Sequence, residues 1–354
     1  MPSPRTISAK PPVPASVPNG APVLRIGYVA LVDSAPIIAA QELGIFAKHG
    51  LNVELSREVG WATIKEKIFY GEIDAAHAPA GMAFAMKLGI QCRPCDVLTS
   101  FILNLNGNAI TLSSTLWKKG VTDAASLLQL IRGHREERLV LGVVSRVSSH
   151  HFLMRHWLQL AGIDPDRDVR IVVIPPAQMF PTLRAGLLDG YCVGEPWNSR
   201  AILEGVGWCP ATSLDLAPQH PEKAFIVRAD FPERRLEEYL AAIRALYEAA
   251  KFCEDPAHRE ELIAMLERTA LPGTADYMRN SLIGPFQHGC GITKTLADFH
   301  RFYREETNRP NFDKASWTLE HLQSAGIVKP GEVNVRDLAG TVFREDYFDL
   351  ALAS

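Results

Sequence analysis

Hydrogen-bond donors occur at the ends of several predicted strands in this sequence. Trp61 follows one predicted strand, the polar segment Asn104–Asn108 ends another, residues 193–198 follow a third, and His220–Lys223 precedes a fourth. An indole N–H, an amide, an imidazole and one ammonium group are suited to surround an anion with donors. This donor set predicts a binding site for a small anion that carries only acceptor atoms.

Structural roles compete with this interpretation. Taken singly, Trp61 fits a core position and Lys223 a solvated surface as well as they fit a ligand site. His150 and His151 are candidate metal ligands, but neighbouring residues on a helix point about 100° apart. Cysteine or carboxylate partners at compatible spacing are missing from the sequence, and a serine N-cap before an incidental histidine pair explains the segment equally well. We therefore expect no metal and no cofactor.

The elements that must position these residues alternate between strands and helices. A strand over 23–30, a helix over 33–46 and a strand over 51–55 are predicted to open a first α/β unit. A second unit follows, with predicted strands over 139–144 and 169–174. This order predicts an α/β fold with largely parallel strands. Because open sheets bind ligands at the carboxyl ends of their strands, we expect a ligand cleft between two lobes.

The chain is predicted to have four parts. Residues 1–22 contain seven prolines and no apolar run, which is typical of a disordered tail. Lobe 1 is predicted to comprise residues 23–110 and 225–330, and lobe 2 to comprise residues 111–224. Residues 331–354 form a predicted C-terminal extension that wraps one lobe or contacts a partner.

Composition and motifs argue against several classes of protein. The chain has 37 Lys and Arg against 40 Asp and Glu among 354 residues, a net charge of −3, so it lacks the basic excess of nucleic-acid-binding proteins. The phosphate-binding motifs GxGxxG and GxxxxGK[ST] and the hydrolase motifs GxSxG and HExxH do not occur. No apolar run reaches about 18 residues and the leader has no apolar h-region, so we expect a cytoplasmic protein without membrane contact.

Six motifs resemble the nitrate- and bicarbonate-binding branch of the type II periplasmic-binding-protein fold, namely residues 27–36, 44–51, 105–107, 175–179, 192–198 and 220–225. The resemblance implies that the side chains of Trp61, Asn108, His150 and Lys223 hold an anion between the two lobes. It implies a weaker, backbone contact for Gly194. The nitrate-binding relatives carry glutamine where this chain has Asn108. The shorter amide then implies a bridging water or a tighter cleft.

Within this branch the chain is most similar to the cytoplasmic nitrate sensors of the NasS type. That resemblance implies a sensor that binds nitrate or nitrite and then releases an RNA-binding antiterminator of the NasT type, without itself contacting nucleic acid. Nitrate and nitrite are expected to bind and bicarbonate is not. One reason is that Lys223 stands where the bicarbonate branch is expected to carry an acidic residue and a calcium ion. The other is that bicarbonate carries a hydroxyl group, which would face donors only.

Two alternatives to the sensor remain open. The first is the binding component of a nitrate or bicarbonate ABC importer. The second is an enzyme on the same fold related to thiamine-pyrimidine synthesis, which would need a reactive histidine, a cofactor lysine and a cysteine-rich iron-binding segment. The six scattered cysteines provide no such segment, so we expect binding without catalysis.

Overall fold

The computed structural model describes residues 22–133, 138–304 and 306–353. The predicted disordered tail over 1–22 lies outside the described residues, except for residue 22. The strands in the described ranges are β1 Val23–Val29, β2 Asn52–Glu58, β3 Ala75–Pro79, β4 Val97–Asn106, β5 Asn108–Ser113, β6 Val140–Val143, β7 Arg170–Val173, β8 Gly190–Gly194, β9 Gly207–Thr212, β10 Pro221–Arg228, β11 Phe286–Gly289, β12 Ile292–Lys294 and β13 His300–Arg301.

Helices connect and cover these strands. They are α1 Ala35–Glu42, α2 Ile45–Lys48, α3 Trp61–Tyr70, α4 Ala80–Leu88, α5 Ser114–Lys118, α6 Ala124–Gly133, α7 Ser149–Leu160, α8 Pro176–Arg184, α9 Trp197–Leu203, α10 Ser213–Leu216, α11 Phe231–Arg234, α12 Leu236–Glu254, α13 Arg259–Thr269, α14 Ala275–Leu282, α15 Phe312–Ser324, α16 Val335–Val342 and α17 Glu345–Ala353, with short 3-10 helices at Val32–Ser34 and Pro256–His258. Of the helices in the described part of the chain, none is long and apolar enough to span a membrane.

The strands form two larger sheets of the same construction. Sheet A has the order β13-β4-β10-β3-β1-β2, and sheet B has the order β7-β6-β8-β5-β9. In sheet A, β1 is parallel to β2 and β3, and β10 runs antiparallel to β3. In sheet B, β6 is parallel to β7 and β8, and β5 runs antiparallel to β8. Each sheet thus places three parallel strands beside one antiparallel strand from a distant part of the chain.

The chain passes from sheet A to sheet B between β4 and β5, at Gly107. This residue has a φ of 87°, in the left-handed region that favours glycine. A Cβ at this position would also lie 2.5 Å from Nδ1 of His300, so both backbone and space require glycine at the crossing. The chain returns to sheet A just before β10, whereas the sequence boundaries at 110/111 and 224/225 fall inside β5 and β10.

The hydrophobic core extends across both sheets. One cluster of buried side chains lies between sheet A and helices that include α1, α12 and α13. A second cluster joins Met82 and Phe84 of α4 to Phe152 of α7 and Tyr191 of β8. Because that second cluster draws side chains from both halves, contact between the lobes buries apolar surface as well as polar groups.

The predicted C-terminal extension over 331–354 packs on the side of sheet A in its described part. Helix α16 contacts α15, α4 and β4, and α17 contacts α12 and β4. Phe343 stacks on Phe84 with ring centroids 5.1 Å apart, and Arg309 pairs with Asp349 of α17 at 3.1 Å. The described part of the extension therefore covers one side of sheet A, and contact with a partner stays a prediction.

The backbones of the two lobes touch directly at Gly81, near the start of α4. A Cβ on this residue would lie 2.1 Å from the carbonyl oxygen of Val147, which precedes α7. A second backbone contact between the lobes is the hydrogen bond that Val32 N–H donates to the carbonyl of Glu195, at 2.9 Å. The contact between the lobes at this point therefore depends on a glycine at position 81.

We predict that Gly81→Ala destabilises the protein, because its methyl group meets a backbone oxygen that has no rotamer through which to move away. Overpacking of this kind costs about 1–3 kcal/mol in the free energy of unfolding, which denaturant titration measures. Gly340→Ala is the matched control, since no atom lies within 4 Å of a Cβ at that helical position. The control is expected to stabilise α16 by about 0.5–1 kcal/mol, and equal stability of Gly81→Ala and the wild type would contradict the prediction.

Candidate anion-binding site

The structure brings the five predicted residues into one buried region between the sheets: Trp61 begins α3, Asn108 begins β5, His150 lies in the first turn of α7, Gly194 ends β8 and Lys223 lies in β10. Trp61 is 4% exposed, and the other three side chains are fully buried. Residues from both sheets therefore meet at the predicted place, and their contact with a ligand stays a prediction.

The Lys223 ammonium is held between two buried carboxylates. Its Nζ donates a hydrogen bond to Asp33 Oδ2 at 2.6 Å and another to Glu222 Oε1. The same Nζ lies 5.5 Å from the centre of the Trp61 ring, within the range of a cation–π contact. Asp33 also accepts a hydrogen bond from His77 Nε2 at 2.8 Å. The cation predicted from the sequence is thus present, but it already has two anionic partners.

An irregularity in β10 explains how neighbouring residues reach the same cluster. Successive side chains of a regular strand point to opposite faces of the sheet. The pairing of β10 with β4 shifts register between Pro221 and Lys223 and again between Lys223 and Ala224. Such bulges re-aim side chains, and here both Glu222 and Lys223 reach the region between the lobes.

Glu222 connects the two lobes. Although it belongs to β10 of sheet A, its Oε2 accepts hydrogen bonds from Asn108 Nδ2 at 2.6 Å and from Ser149 Oγ. His150 Nε2 lies 3.4 Å from Glu222 Oε1, without the geometry of a hydrogen bond. His220 Nε2 lies 3.3 Å from Oε2.

The His220 contact depends on the protonation of the ring. Its Nδ1 donates to the carbonyl of Ala217, at 2.9 Å. Nε2 can then donate to Glu222 only when both ring nitrogens carry a proton. The neutral ring instead offers Nε2 as an acceptor for Asn108 Nδ2, which lies 3.4 Å away.

Several buried polar atoms around this cluster have no hydrogen-bond partner within the described ranges. They include Trp61 Nε1, Asn108 Oδ1 and both ring nitrogens of His150. Buried polar atoms are nearly always paired in proteins. A group of unpaired donors and acceptors beside Lys223 is therefore the feature expected of a site that completes its hydrogen bonds with a ligand.

Gly194 contributes by its lack of a side chain. A Cβ at this position would lie 3.2 Å from Asp33 Oδ2 and 3.6 Å from Asn108 Oδ1. The glycine therefore lets the end of β8 approach the carboxylate of the other lobe closely. Contact of the Gly194 backbone with the anion stays a prediction.

The two carboxyl groups and the lysine of the site are all held in their charged forms. Burial opposes ionisation of both carboxyl groups, but Lys223 and the nearby histidines outweigh it, so the pKa of Asp33 falls to about 2 and that of Glu222 lies well below its usual value. Burial likewise opposes the Lys223 charge, but Asp33 and Glu222 outweigh it and raise the lysine pKa. Burial lowers the pKa of His150 to about 4 and also lowers that of His77. Two carboxylates therefore face one ammonium.

The expectation of one cation among neutral donors was thus incomplete, since it omitted Asp33 and Glu222. Both lie within the motifs that carry the family resemblance. Strand alternation gave no reason to direct Glu222 toward the same cluster as Lys223, because the bulge is not visible in the sequence. For Asp33, a carboxylate directly after the first predicted strand was a usable signal.

The two adjacent histidines have separate surroundings. His151 Nδ1 donates to the carbonyl of Arg146 at 2.7 Å, whereas His150 faces Glu222. In the described ranges, no group of three or more histidine, cysteine or carboxylate side chains is placed to hold a metal ion. The ring of His151 therefore belongs to the packing of α7 rather than to the anion site.

Comparison with known proteins identifies the family. A family model described as the NMT1-like family matches residues 18–267. The bicarbonate transport ATP-binding protein CmpC of Synechocystis sp. is 39% identical over 86% of this chain, which spans 46% of that protein. The nitrate/nitrite binding protein NrtA of Synechococcus elongatus is 31% identical over 96% of this chain and 81% of its own length. This chain therefore spans about half of CmpC and most of NrtA.

A solved structure supports the fold. The crystal structure of the periplasmic nitrate-binding protein NrtA from Synechocystis PCC 6803 matches with a TM-score of 0.90 and 27% identity, over 94% of this chain and 89% of that chain. The predicted two-lobed α/β binding-protein fold is thereby confirmed, and the finer resemblance to NasS-type sensors stays a prediction. The chain belongs to the NMT1-like family and shares the fold of the nitrate- and bicarbonate-binding branch.

Proposed function

We propose that this chain binds a small planar oxyanion, nitrate or nitrite, between its two lobes. The observation that carries the proposal is the buried Lys223 ammonium, which lies beside the unpaired indole N–H of Trp61 at the meeting of the two sheets. Nitrate is planar, singly charged and has only acceptor atoms, so it suits an ammonium and neutral donors. The name and 31% identity of the NrtA relative support the same ligand.

We assign the chain to transport as the binding component of an importer of the ABC type. The support is that similar proteins are named for nitrate/nitrite binding and for bicarbonate transport. The nucleotide binding of CmpC does not carry over, because this chain has no GxxxxGK[ST] motif.

The cytoplasmic sensor and its NasT-type antiterminator partner rest on sequence resemblance alone and rank second. The cytoplasmic location belongs to this second proposal. Co-purification of the antiterminator with this chain, followed by release on addition of nitrate or nitrite, would reverse that order.

We expect no catalysis at this site. An enzyme that forms a Schiff base needs a neutral lysine amine as its nucleophile. Asp33 and Glu222 instead stabilise the protonated form of Lys223 and raise its pKa. A buried, doubly paired ammonium suits electrostatic binding rather than attack on a cofactor aldehyde.

The surroundings of Lys223 differ from the prediction that excluded bicarbonate. It held that the hydroxyl group of bicarbonate would face donors only. Glu222 and the unpaired Asn108 Oδ1 are acceptors in the same region, so a hydroxyl could donate to either of them. Nitrate and nitrite remain the proposed ligands, and bicarbonate is the competitor that the experiment must include.

The proposal predicts one-to-one binding of nitrate and nitrite by the purified protein in isothermal titration. The same titration with bicarbonate in calcium-free buffer is expected to show weaker binding, since Lys223 rather than a metal ion supplies the positive charge. Sulfate, which is tetrahedral and doubly charged, serves as the negative control. Binding of bicarbonate alone would reject nitrate as the ligand and leave the fold assignment unaffected.

Two substitutions should weaken nitrate binding unequally. Trp61→Phe removes a neutral donor, which is worth about 1 kcal/mol, or roughly fivefold in affinity. Lys223→Met removes a charge-assisted donor and is expected to weaken binding roughly 10- to 150-fold. Titration of both variants measures the difference.

Trp208→Phe is the matched control for the tryptophan substitution. Trp208 is buried and its Nε1 is also unpaired, but it lies in the core of sheet B against Trp117. We expect its nitrate affinity to equal that of the wild type. A folded Lys223→Met protein that keeps full affinity would show that the ligand lies elsewhere.

Nitrate affinity should rise as the pH falls from about 7 toward 5. A bound anion favours the protonated form of His150, whose pKa is about 4 in the free site, so binding is coupled to proton uptake. The charged or titratable groups that act on this ring are Glu222, Lys223, Asp33 and His220. Uptake of one proton limits the rise to about tenfold per pH unit. His150→Gln should abolish the rise in nitrate titrations at several pH values.

Protein stability should change in the opposite direction over the same interval. Because the folded pKa of His150 lies below its ordinary value of 6.5, unfolded chains take up protons that folded chains do not. The stabilising contribution is complete above pH 6.5 and is lost as the pH falls toward 4. Urea unfolding at each pH separates this loss from the change in affinity, and an affinity that falls with pH in folded protein would contradict the coupling.

A further inference from the structure

The carboxylate of Glu222 occupies donors that suit a planar oxyanion. Its two oxygens accept hydrogen bonds from the Lys223 ammonium, the Asn108 amide and the Ser149 hydroxyl. The His150 ring lies 3.4 Å from one oxygen. A carboxylate is planar and trigonal, with acceptor oxygens and one negative charge, as nitrate is. The donors expected to bind an external anion therefore already bind one that belongs to the chain.

Three of the five residues predicted to bind the anion contact or adjoin this one carboxylate, namely Asn108, His150 and Lys223. Glu222 is 1% exposed. The contacts also come from both lobes, as those of a ligand in the cleft would. The Glu222 carboxylate thus makes, from within the chain, the contacts predicted for the anion.

The charges oppose a second anion while Glu222 stays in this position. Asp33 and Glu222 already balance and exceed the single charge of Lys223. An external monoanion would add a third negative group to a region with one ammonium. Like charges this close in a buried site repel strongly. Entry of an anion therefore requires the Glu222 carboxylate to leave its donors.

We propose that Glu222 is an internal ligand of the anion site, which an external oxyanion must displace from Asn108 and Ser149 in order to bind. This inference rests on the proposed function, because it presumes that an oxyanion enters the site. Glu222 is then a specificity-determining residue. It admits only those anions that use the shared donors better than a tethered carboxylate does.

Removing the internal carboxylate tests this directly. Glu222→Ala leaves Lys223 with one carboxylate partner and frees the Asn108 and Ser149 donors, so nitrate should bind at least about tenfold more tightly than to the wild type. Formate, a free carboxylate, should also bind to this variant and compete with nitrate. Glu222→Gln removes the charge but still fills the space, so its gain in affinity should be smaller than that of Glu222→Ala.

Glu237→Ala is the matched control, since it removes one negative charge from an exposed position on α12. Its nitrate affinity should equal that of the wild type, which separates displacement from a general effect of net charge. Thermal unfolding monitored by circular dichroism identifies variants that are folded. If Glu222→Ala does not fold, a crystal structure of the wild type with nitrate decides the question by the position of Glu222.

The outcomes separate the inference from the function on which it rests. Tighter nitrate binding by Glu222→Ala, or a nitrate complex in which Glu222 has left Asn108 and Ser149, supports displacement. A folded Glu222→Ala protein with equal or weaker affinity than the wild type overturns it, as does a nitrate complex in which Glu222 keeps both contacts. If neither the wild type nor any variant binds an oxyanion, the proposed function fails and the inference fails with it.

Discussion

The buried ammonium of Lys223 is the constraint on which the centre of this protein depends. A charge removed from water is tolerated only when opposite charges and hydrogen bonds compensate for the lost solvation. Asp33 supplies one such partner from the short 3-10 helix after β1, and Glu222 supplies the other from the same strand as the lysine. Sheet A must therefore bring the end of β1 and the start of β10 together around one cation.

The way in which β10 meets that constraint also connects the lobes. Because the strand bulges beside β4, Glu222 and Lys223 both reach the region between the sheets. Glu222 then contacts Asn108 at the start of β5 and Ser149 at the start of α7. The bulge at the start of β10 thus gives the buried Lys223 a carboxylate partner and links sheet A to sheet B.

Much of the fold was predictable from the sequence, because strand and helix periodicities are local. The predicted strands over 139–144 and 169–174 correspond to β6 and β7, and the family resemblance placed Trp61 and Lys223 in one site. The negative partners were not predicted. Side-chain alternation directs Glu222 away from Lys223 in a regular strand, and the bulge that overrides it arises from pairing with β4, which is distant in sequence. The predicted lobe boundaries at 110/111 and 224/225 fall inside β5 and β10, because each of these strands begins directly after the chain crosses between the sheets. Where the chain crosses depends on strand pairing between distant parts of the sequence, which local periodicity does not show.

The internal carboxylate changes how anion binding and lobe closure are related. In a two-lobed protein, a ligand shifts the lobes toward closure only by its differential affinity for the two states. In this chain, Asn108 and Ser149 already donate hydrogen bonds to the Glu222 carboxylate of sheet A. Met82 and Phe152 add apolar packing between the lobes. An external oxyanion that takes over these donors gains only the difference between its contacts and those of Glu222. Under the proposed displacement, the response to the ligand is set by competition between two anions for one set of donors, which makes selectivity sensitive to residue 222.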